Sequence, residues 1–360
     1  MLLRFTAKSR LAIVLALAGL SVEARALAEH SDPKARVTLP ASIGAFGDSM
    51  TAGALAMFRR QDFVLPWTEL LVALRALAFG ITRNFDNVEA RKLSWAAGFD
   101  KHRRVESHGF RLAKLHGLDR GALPTMNAAI SGAESGDMVA KQIRSMTDWS
   151  ARTLGQAFPD YVTLMIGAND VCMDRVDQMI SPRTYYANVT RVVDEVLLRS
   201  PRSRLVVSAL PNIEILREVA RDARLYWGVK CEQLWKAVKF CDTLTLLTDP
   251  EDRRRVARRV VEYNEVLRDI VESRRRNFGD RIRFAPDTYQ ARFSADDLSI
   301  DCFHPNARGQ AQLAERTWKA SWWTEEWKRV RPRLLAAEEQ QKRDEAERRR
   351  RDRRLAYPRR

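Results

Sequence analysis

The sequence is poor in cysteine, histidine and aromatic residues: its 360 residues include 4 Cys and 5 His, and only 8% are Phe, Trp or Tyr. The cysteines never occur as C-x-x-C and no H-E-x-x-H is present, so no metal site is expected. Beyond the first 26 residues no stretch is continuously apolar for the roughly 20 residues that a membrane-spanning helix needs. Internal repeats are absent. What remains is a globular composition, 45% hydrophobic, long enough for one large domain or two small ones.

Charge is plentiful and unevenly placed. Lys plus Arg number 62 against 46 Asp plus Glu, a net of +16. The stretch from Met1 to Ala26 carries +3 of this and Lys328 to Arg360 carries +8, leaving +5 for the body between them. Nucleic-acid binding is disfavoured, because the strongest basic run is terminal and holds one tyrosine, Tyr357, rather than interleaved stacking aromatics.

A basic start ending at Arg10, the apolar run Leu11 to Leu20 and the small-x-small triplet Ala24-Arg25-Ala26 read as a secretory signal peptide over residues 1–26. The expected destination is the cell exterior or periplasm, where Cys172, Cys231, Cys241 and Cys302 can form two disulfides. Three pairings are possible. Cys231 with Cys241, near neighbours in one irregular segment, is favoured, together with Cys172 and Cys302, whose pairing rests on the motifs described below.

The mature chain alternates short β-like runs with amphipathic helices, the pattern of a parallel sheet covered on both faces. Strands are predicted at Ser42–Phe46, Met126–Ile130, Tyr161–Ile166, Arg204–Leu210 and Arg281–Ala285. The clearest helices carry Val189, Val192, Val193, Val196 and Leu197 on one stripe, and Val256, Val260, Tyr263, Leu267 and Ile270 on another. Two connections, Ala54 to Thr125 and Pro211 to Pro250, exceed a simple crossover and are candidates for shaping a pocket. Residues 41–323 are expected to form the folded domain. Residues 324–360 are expected to form a charged, basic tail, an exposed helix or disordered, able to touch an anionic membrane surface.

Four strand ends carry chemistry-bearing residues in order. Gly47-Asp48-Ser49 closes the first, placing a hydroxyl at a strand-to-helix turn, with Asp48 capping it. Ser131-Gly132 follows the second and offers an unobstructed backbone N–H. Ile166-Gly167-Ala168-Asn169 follows the third, where an amide could donate to a developing oxyanion. Asp301-Cys302-Phe303-His304 precedes a helix, so a carboxylate three residues back can fix the imidazole tautomer. Of the other candidates, Ser135 reads as a turn or capping residue. His102, His108 and His116 read as surface residues, with a pocket-rim role open to His108.

With Ser49, Gly132, Asn169 and His304 in this order, the sequence resembles the GDSL or SGNH hydrolases over roughly Ala41 to Trp323. Within that superfamily it is most similar to the phospholipase B-like branch, through Arg91-Lys92-Leu93-Ser94-Trp95 with Gly98, Ile166 to Cys172, and Asp301 to His304. It departs from the pattern at Met50, where Leu is usual, and at Ala168, where this branch often has Gly. The resemblance implies a flavodoxin-like α/β/α sandwich with a mainly parallel five-stranded sheet. It also implies an exported serine esterase with Ser49, Asp301 and His304 as catalytic residues. Ser49, Gly132 and Asn169 would form the oxyanion hole, lipid esters would be the substrate, and no cofactor would be needed. A Cys172 to Cys302 bridge would then brace Asn169 against the Asp301 loop. Trp67, Leu70, Leu71, Leu74, Trp95, Trp227 and Trp235 could line an acyl site or pack the core. The alternatives are an esterase for acetyl or other small esters and a catalytically idle surface-binding protein.

Overall fold

The computed structural model describes residues 37–60, 88–118, 122–226, 228–239 and 241–356, with side chains omitted at 342 and 350–356. The expected signal peptide, Trp67, Leu70, Leu71, Leu74 and Trp227 lie outside the described residues. The fold described below lies within one compact unit, Leu39–Arg360.

In chain order the elements are β1 (Ile43–Gly47), α1 (Ser49–Ala52), α2 (Val88–Lys92), α3 (His108–Leu115), β2 (Thr125–Asn127), α4 (Arg144–Leu154, entered through a π-helical turn, Met138–Ile143) and β3 (Tyr161–Met165). Then follow α5 (Ala168–Val171), α6 (Pro182–Arg199), β4 (Arg204–Ser208), α7 (Leu216–Ala220), α8 (Cys231–Val238), α9 (Asp242–Thr245), α10 (Pro250–Phe278), β5 (Ile282–Ala285), α11 (Ala307–Trp318) and α12 (Thr324–Ala356). The sheet order is β2-β1-β3-β4-β5 with parallel pairing throughout, in a register that sets Ile43 opposite both Thr125 and Tyr161. This is the doubly wound α/β/α arrangement predicted from the alternating pattern.

Its central strands are buried along their whole length, as parallel strands covered on both faces must be. Helix α6 starts at Pro182, its Ser181 cap accepting from the Thr184 N–H, and buries the predicted valine stripe. Helix α10 is capped by Asp249, packs on α6 and buries Val256, Val260, Tyr263, Leu267 and Ile270. Strand β2 is shorter than predicted and begins one residue earlier, although Ala128 and Ile130 still donate to β1 at Ala45 and Gly47.

Two expectations are corrected, and one open alternative is decided. The disulfides are Cys172–Cys241 and Cys231–Cys302, not Cys231–Cys241 and Cys172–Cys302. Helix α8 starts at Cys231 and turns that residue into a small core with Leu234, Trp235, Leu298 and Cys302, away from Cys241. His108 is not on the surface. It is fully buried, with Nδ1 2.7 Å from the Tyr161 hydroxyl and Nε2 2.8 Å from that of Thr317, inside a box of Trp95, Tyr161 and Trp318. Trp95 and Trp235 are core residues rather than pocket lining.

The 324–360 stretch is helical over Thr324–Ala356. Its first turns are packed: Trp327 is buried against Phe110, Glu338 pairs with Arg103, and Arg331 pairs with Glu106.

Candidate active site

The strand order reverses between β1 and β3, and at such a switch point the loops leaving the carboxyl ends diverge and open a crevice. Ser49 follows β1 and Asn169 follows β3, so these two loops flank the crevice.

The turn carrying Ser49 is tightly held. Gly47 has φ +157°, and a Cβ there would lie 2.4 Å from the Met165 carbonyl oxygen and 2.3 Å from Thr51 Oγ1, so no larger residue fits. Gln142 caps this glycine from both sides: its Oε1 accepts from the Gly47 N–H at 2.9 Å and its Nε2 donates to the Gly47 carbonyl at 2.8 Å. Beyond the serine, Gln310 of α11 donates to the Met50 carbonyl at 2.9 Å and accepts from the Trp95 N–H at 2.9 Å. Ser94 and Asn127 both donate to the Thr51 carbonyl. Two buried glutamines thus fix the backbone on either side of Ser49.

His304 reaches Ser49 from the other end of the chain. Its Nε2 is 2.8 Å from Ser49 Oγ and its Nδ1 is 2.5 Å from Asp301 Oδ2. The second oxygen of Asp301 accepts from the Phe303 and His304 N–H groups, at 3.0 and 3.1 Å. The carboxylate is buried, and its backbone donors together with the imidazole hold it in one orientation. Asn306 caps α11 immediately afterwards, accepting from Arg308 and Gly309 and donating to the Asp296 and Leu298 carbonyls.

The remaining two strand ends converge on one another. Gly132, at φ +78°, is the third residue of a turn closed by the Ala133 N–H donating to the Ile130 carbonyl, a position at which only glycine is comfortable. Asn169 donates to the Ala133 carbonyl at 2.9 Å, tying the third motif to the second. Beneath them the Asp170 carboxylate accepts from both the backbone and the hydroxyl of Ser135, and Asn188 donates to that same hydroxyl at 3.0 Å. Ser135 is therefore a brace to Asp170 rather than a turn or capping residue alone, and the half-buried Asn188 amide of the Asn188-Val189-Thr190 sequon is engaged with it.

Two buried acids sit under the site. Burial pushes Asp48 up to about 7, against the opposing pull of the Met50 N–H and of His304, while the Asp170 charge pushes it further up. One Asp48 oxygen caps Met50 at 2.9 Å; the other is buried with no well-formed hydrogen bond among the described residues, although the Ala168 backbone N–H also pulls the carboxyl down. Burial likewise raises Asp170, to about 6, despite its two bonds from Ser135. Sequence reasoning did not find Gln142, Gln310 or the Ser135–Asp170 pair. Only Gln310 carried a signal, as a polar residue on the apolar stripe of α11.

Ser49, Asn169 and His304 open into an apolar cleft enclosing about 660 Å³, open solvent included, and walled by residues such as Ile213, Leu216, Val219 and Phe303. Among the described residues no cluster of acidic, histidine or cysteine side chains is arranged to hold a metal ion.

A hydroxyl–imidazole–carboxylate chain at the switch point of a doubly wound sheet is the geometry of an ester-hydrolysing enzyme. The chain belongs to the GDSL-like Lipase/Acylhydrolase family, whose profile matches residues 43–317. Among curated proteins, membrane-associated phospholipase B1 of Mus musculus is 24% identical over 305 residues, covering 77% of this chain and 19% of that protein. The Rattus norvegicus counterpart is 23% identical over 290 residues, with 77% of this chain and 19% of the relative covered. The chain thus spans about a fifth of the length of the curated relatives it matches. Among solved structures, an extracellular lipase from Streptomyces rimosus is 16% identical, with 78% of this chain and 99% of that one covered and a TM-score of 0.40. A Clostridium thermocellum family 3 carbohydrate esterase is 15% identical, with 80% and 98% covered and a TM-score of 0.41.

Proposed function

We propose that this enzyme is an exported serine esterase for lipid esters, of phospholipase B or lysophospholipase type. The observation that carries the reading is the unbroken chain Ser49 Oγ, His304, Asp301, whose serine end opens into an apolar cleft. In this reading His304 Nε2 takes the Ser49 proton as Oγ attacks the ester carbonyl, and Asp301 stabilises the imidazolium. The Ser49 and Gly132 N–H groups and the Asn169 side chain stabilise the tetrahedral oxyanion, and one such donor is worth about 3 kcal/mol of barrier. The imidazolium returns its proton to the leaving alkoxide. Water, deprotonated by the same histidine, then releases the fatty acid and restores Ser49. The steps balance with water as the sole co-reactant.

Two disulfides suit an oxidising compartment, and among the described residues no helix is long and apolar enough to cross a membrane. The basic run in the later turns of α12 supplies the contact to an anionic membrane where such a substrate resides. The test compares wild type with Ser49→Ala on dispersed phospholipid, lysophospholipid and acetyl esters. Wild type is expected to cleave the lipids and the variant to be inactive. Equal hydrolysis by both would overturn the mechanism, and activity confined to acetyl esters would overturn the lipid substrate.

A further inference from the structure

The cleft beside Ser49 has two walls of different origin. One, with Phe293, Leu298 and Phe303, belongs to the chain leading to His304. The other comes from the long connection between β4 and α10: Ile213, Ile215, Leu216 and Val219 on and before α7, and Leu244 on α9. Connections in compact α/β domains are usually about two to six residues long, so this one is built for more than returning the chain to the sheet.

Its apolar residues behave unlike those of the core. Ile213, Ile215, Leu216 and Val219 are half-buried: Leu216 packs in part on the segment's own small core of Ala220, Leu225, Leu234, Trp235 and Val238, Leu216 and Ile213 in part on the main core, and all four reach the cleft. Val219 follows Leu216 by three residues and Ile215 by four, so the three share one helical face, and that face lines the cleft. Half-exposed aliphatic side chains on a single face, beside an ester-cleaving serine, offer an acyl chain a surface to leave water for.

The segment is anchored at both ends of the site. Cys241 is joined to Cys172, at the end of the short helix that holds Asn169, and Cys231 to Cys302, between Asp301 and His304. Arg217 of α7 pairs with Glu232 of α8, and Asn264 clamps both backbone groups of Leu210 where the segment begins. The wall is therefore fixed covalently to the Asn169 and His304 loops alike.

We infer that this doubly stapled segment is the acyl-chain selector, with Leu216 and Val219 of α7 setting the length of chain admitted beside Ser49. The inference rests on the lipid-ester reading above. In this reading a bulkier residue at Val219 takes up cleft volume that an acyl chain would occupy, so it discriminates by chain length.

The experiment measures kcat/KM of the full chain on p-nitrophenyl esters from acetate to palmitate, for wild type, Val219→Trp and Leu216→Ala. Labelling of Ser49 by a fluorophosphonate confirms that each variant is folded and competent. Val219→Trp is expected to lower the ratio of long-chain to acetate kcat/KM by about tenfold or more, since each excluded methylene is worth a sizeable factor in a fitted pocket. Leu216→Ala, which enlarges the cleft, is expected to move the optimum to longer chains. An unchanged profile in both variants, or an equal loss at every chain length in a variant that still labels, overturns the inference. A wild-type profile confined to acetate overturns the lipid reading instead, so the two failures are told apart.

Discussion

Asp48→Asn separates the energetic cost of the Ser49 turn from its function. Burial raises the Asp48 carboxyl from 3.8 to about 7, so the folded protein holds a proton that the unfolded chain releases near pH 4. An acid whose folded value is raised contributes stability at low pH, and that contribution is lost as pH rises through the interval. At about 1.4 kcal/mol per unit, the loss between pH 4 and pH 7 is roughly 4 kcal/mol. In the variant, the oxygen that accepts from the Met50 N–H is kept. An amide NH₂ replaces the oxygen that has no well-formed hydrogen bond among the described residues and brings a desolvation cost of about 1–3 kcal/mol. The variant is thus expected to be less stable than wild type near pH 4 and more stable, by roughly 1–3 kcal/mol, near pH 8. Urea denaturation at several pH values reads this directly as two stability curves that cross. Activity should move the opposite way at high pH, because ionised Asp48 favours the charged imidazole of His304. Parallel stability curves would refute the reasoning, since they would mean that Asp48 does not change its protonation over this range.

Gln310→Leu leaves the Met50 carbonyl and the Trp95 N–H unpaired in the interior, at a cost of about 1–3 kcal/mol each. A drop in kcat with little change in KM for a small ester is expected, not restored by Gln310→Glu, whose carboxylate cannot donate to the Met50 carbonyl; full activity in the leucine variant would show that the turn holds its own shape. His108 is kept neutral by burial, with its value pushed well below 6.5 and the nearby Arg111 adding to the effect. As pH falls below about 6.5 the unfolded chain gains a proton that the folded protein refuses, so stability declines by up to about 1.4 kcal/mol per pH unit. His108→Gln should flatten this acid limb in thermal melts, and an identical limb in both proteins would count against the buried neutral imidazole.

The features legible in the sequence are those encoded locally. Strands β1 and β3 read out because fully buried parallel strands are short apolar runs ending in Gly or small polar residues, and Ser49 and Asn169 follow those ends. Asp301 and His304 are three residues apart, so their pairing was visible. What the sequence hid depends on distant partners. His108 lies in a basic stretch, and nothing nearby signals that Tyr161 and Thr317 supply the hydroxyls that allow it to be buried. Gln142 sits in a π-helical turn within a polar stretch, and its partner Gly47 is 95 residues away. The cysteine pairing was misread because nearness along the chain was taken for nearness in space, and α8 stands between Cys231 and Cys241.

That pairing has a consequence for how the molecule is made. The bridges span 69 and 71 residues and interlace, each enclosing one cysteine of the other. In a reduced chain the short Cys231–Cys241 loop closes most readily, yet it uses up one partner of each native bridge. Oxidation before α8 has formed therefore captures a chain in which neither native link can close until that bond is exchanged. Each native loop constrains the denatured ensemble by about 4 kcal/mol in the chain-entropy account. Oxidative maturation thus depends on thiol–disulfide exchange keeping pace with the folding of a segment little longer than one helix.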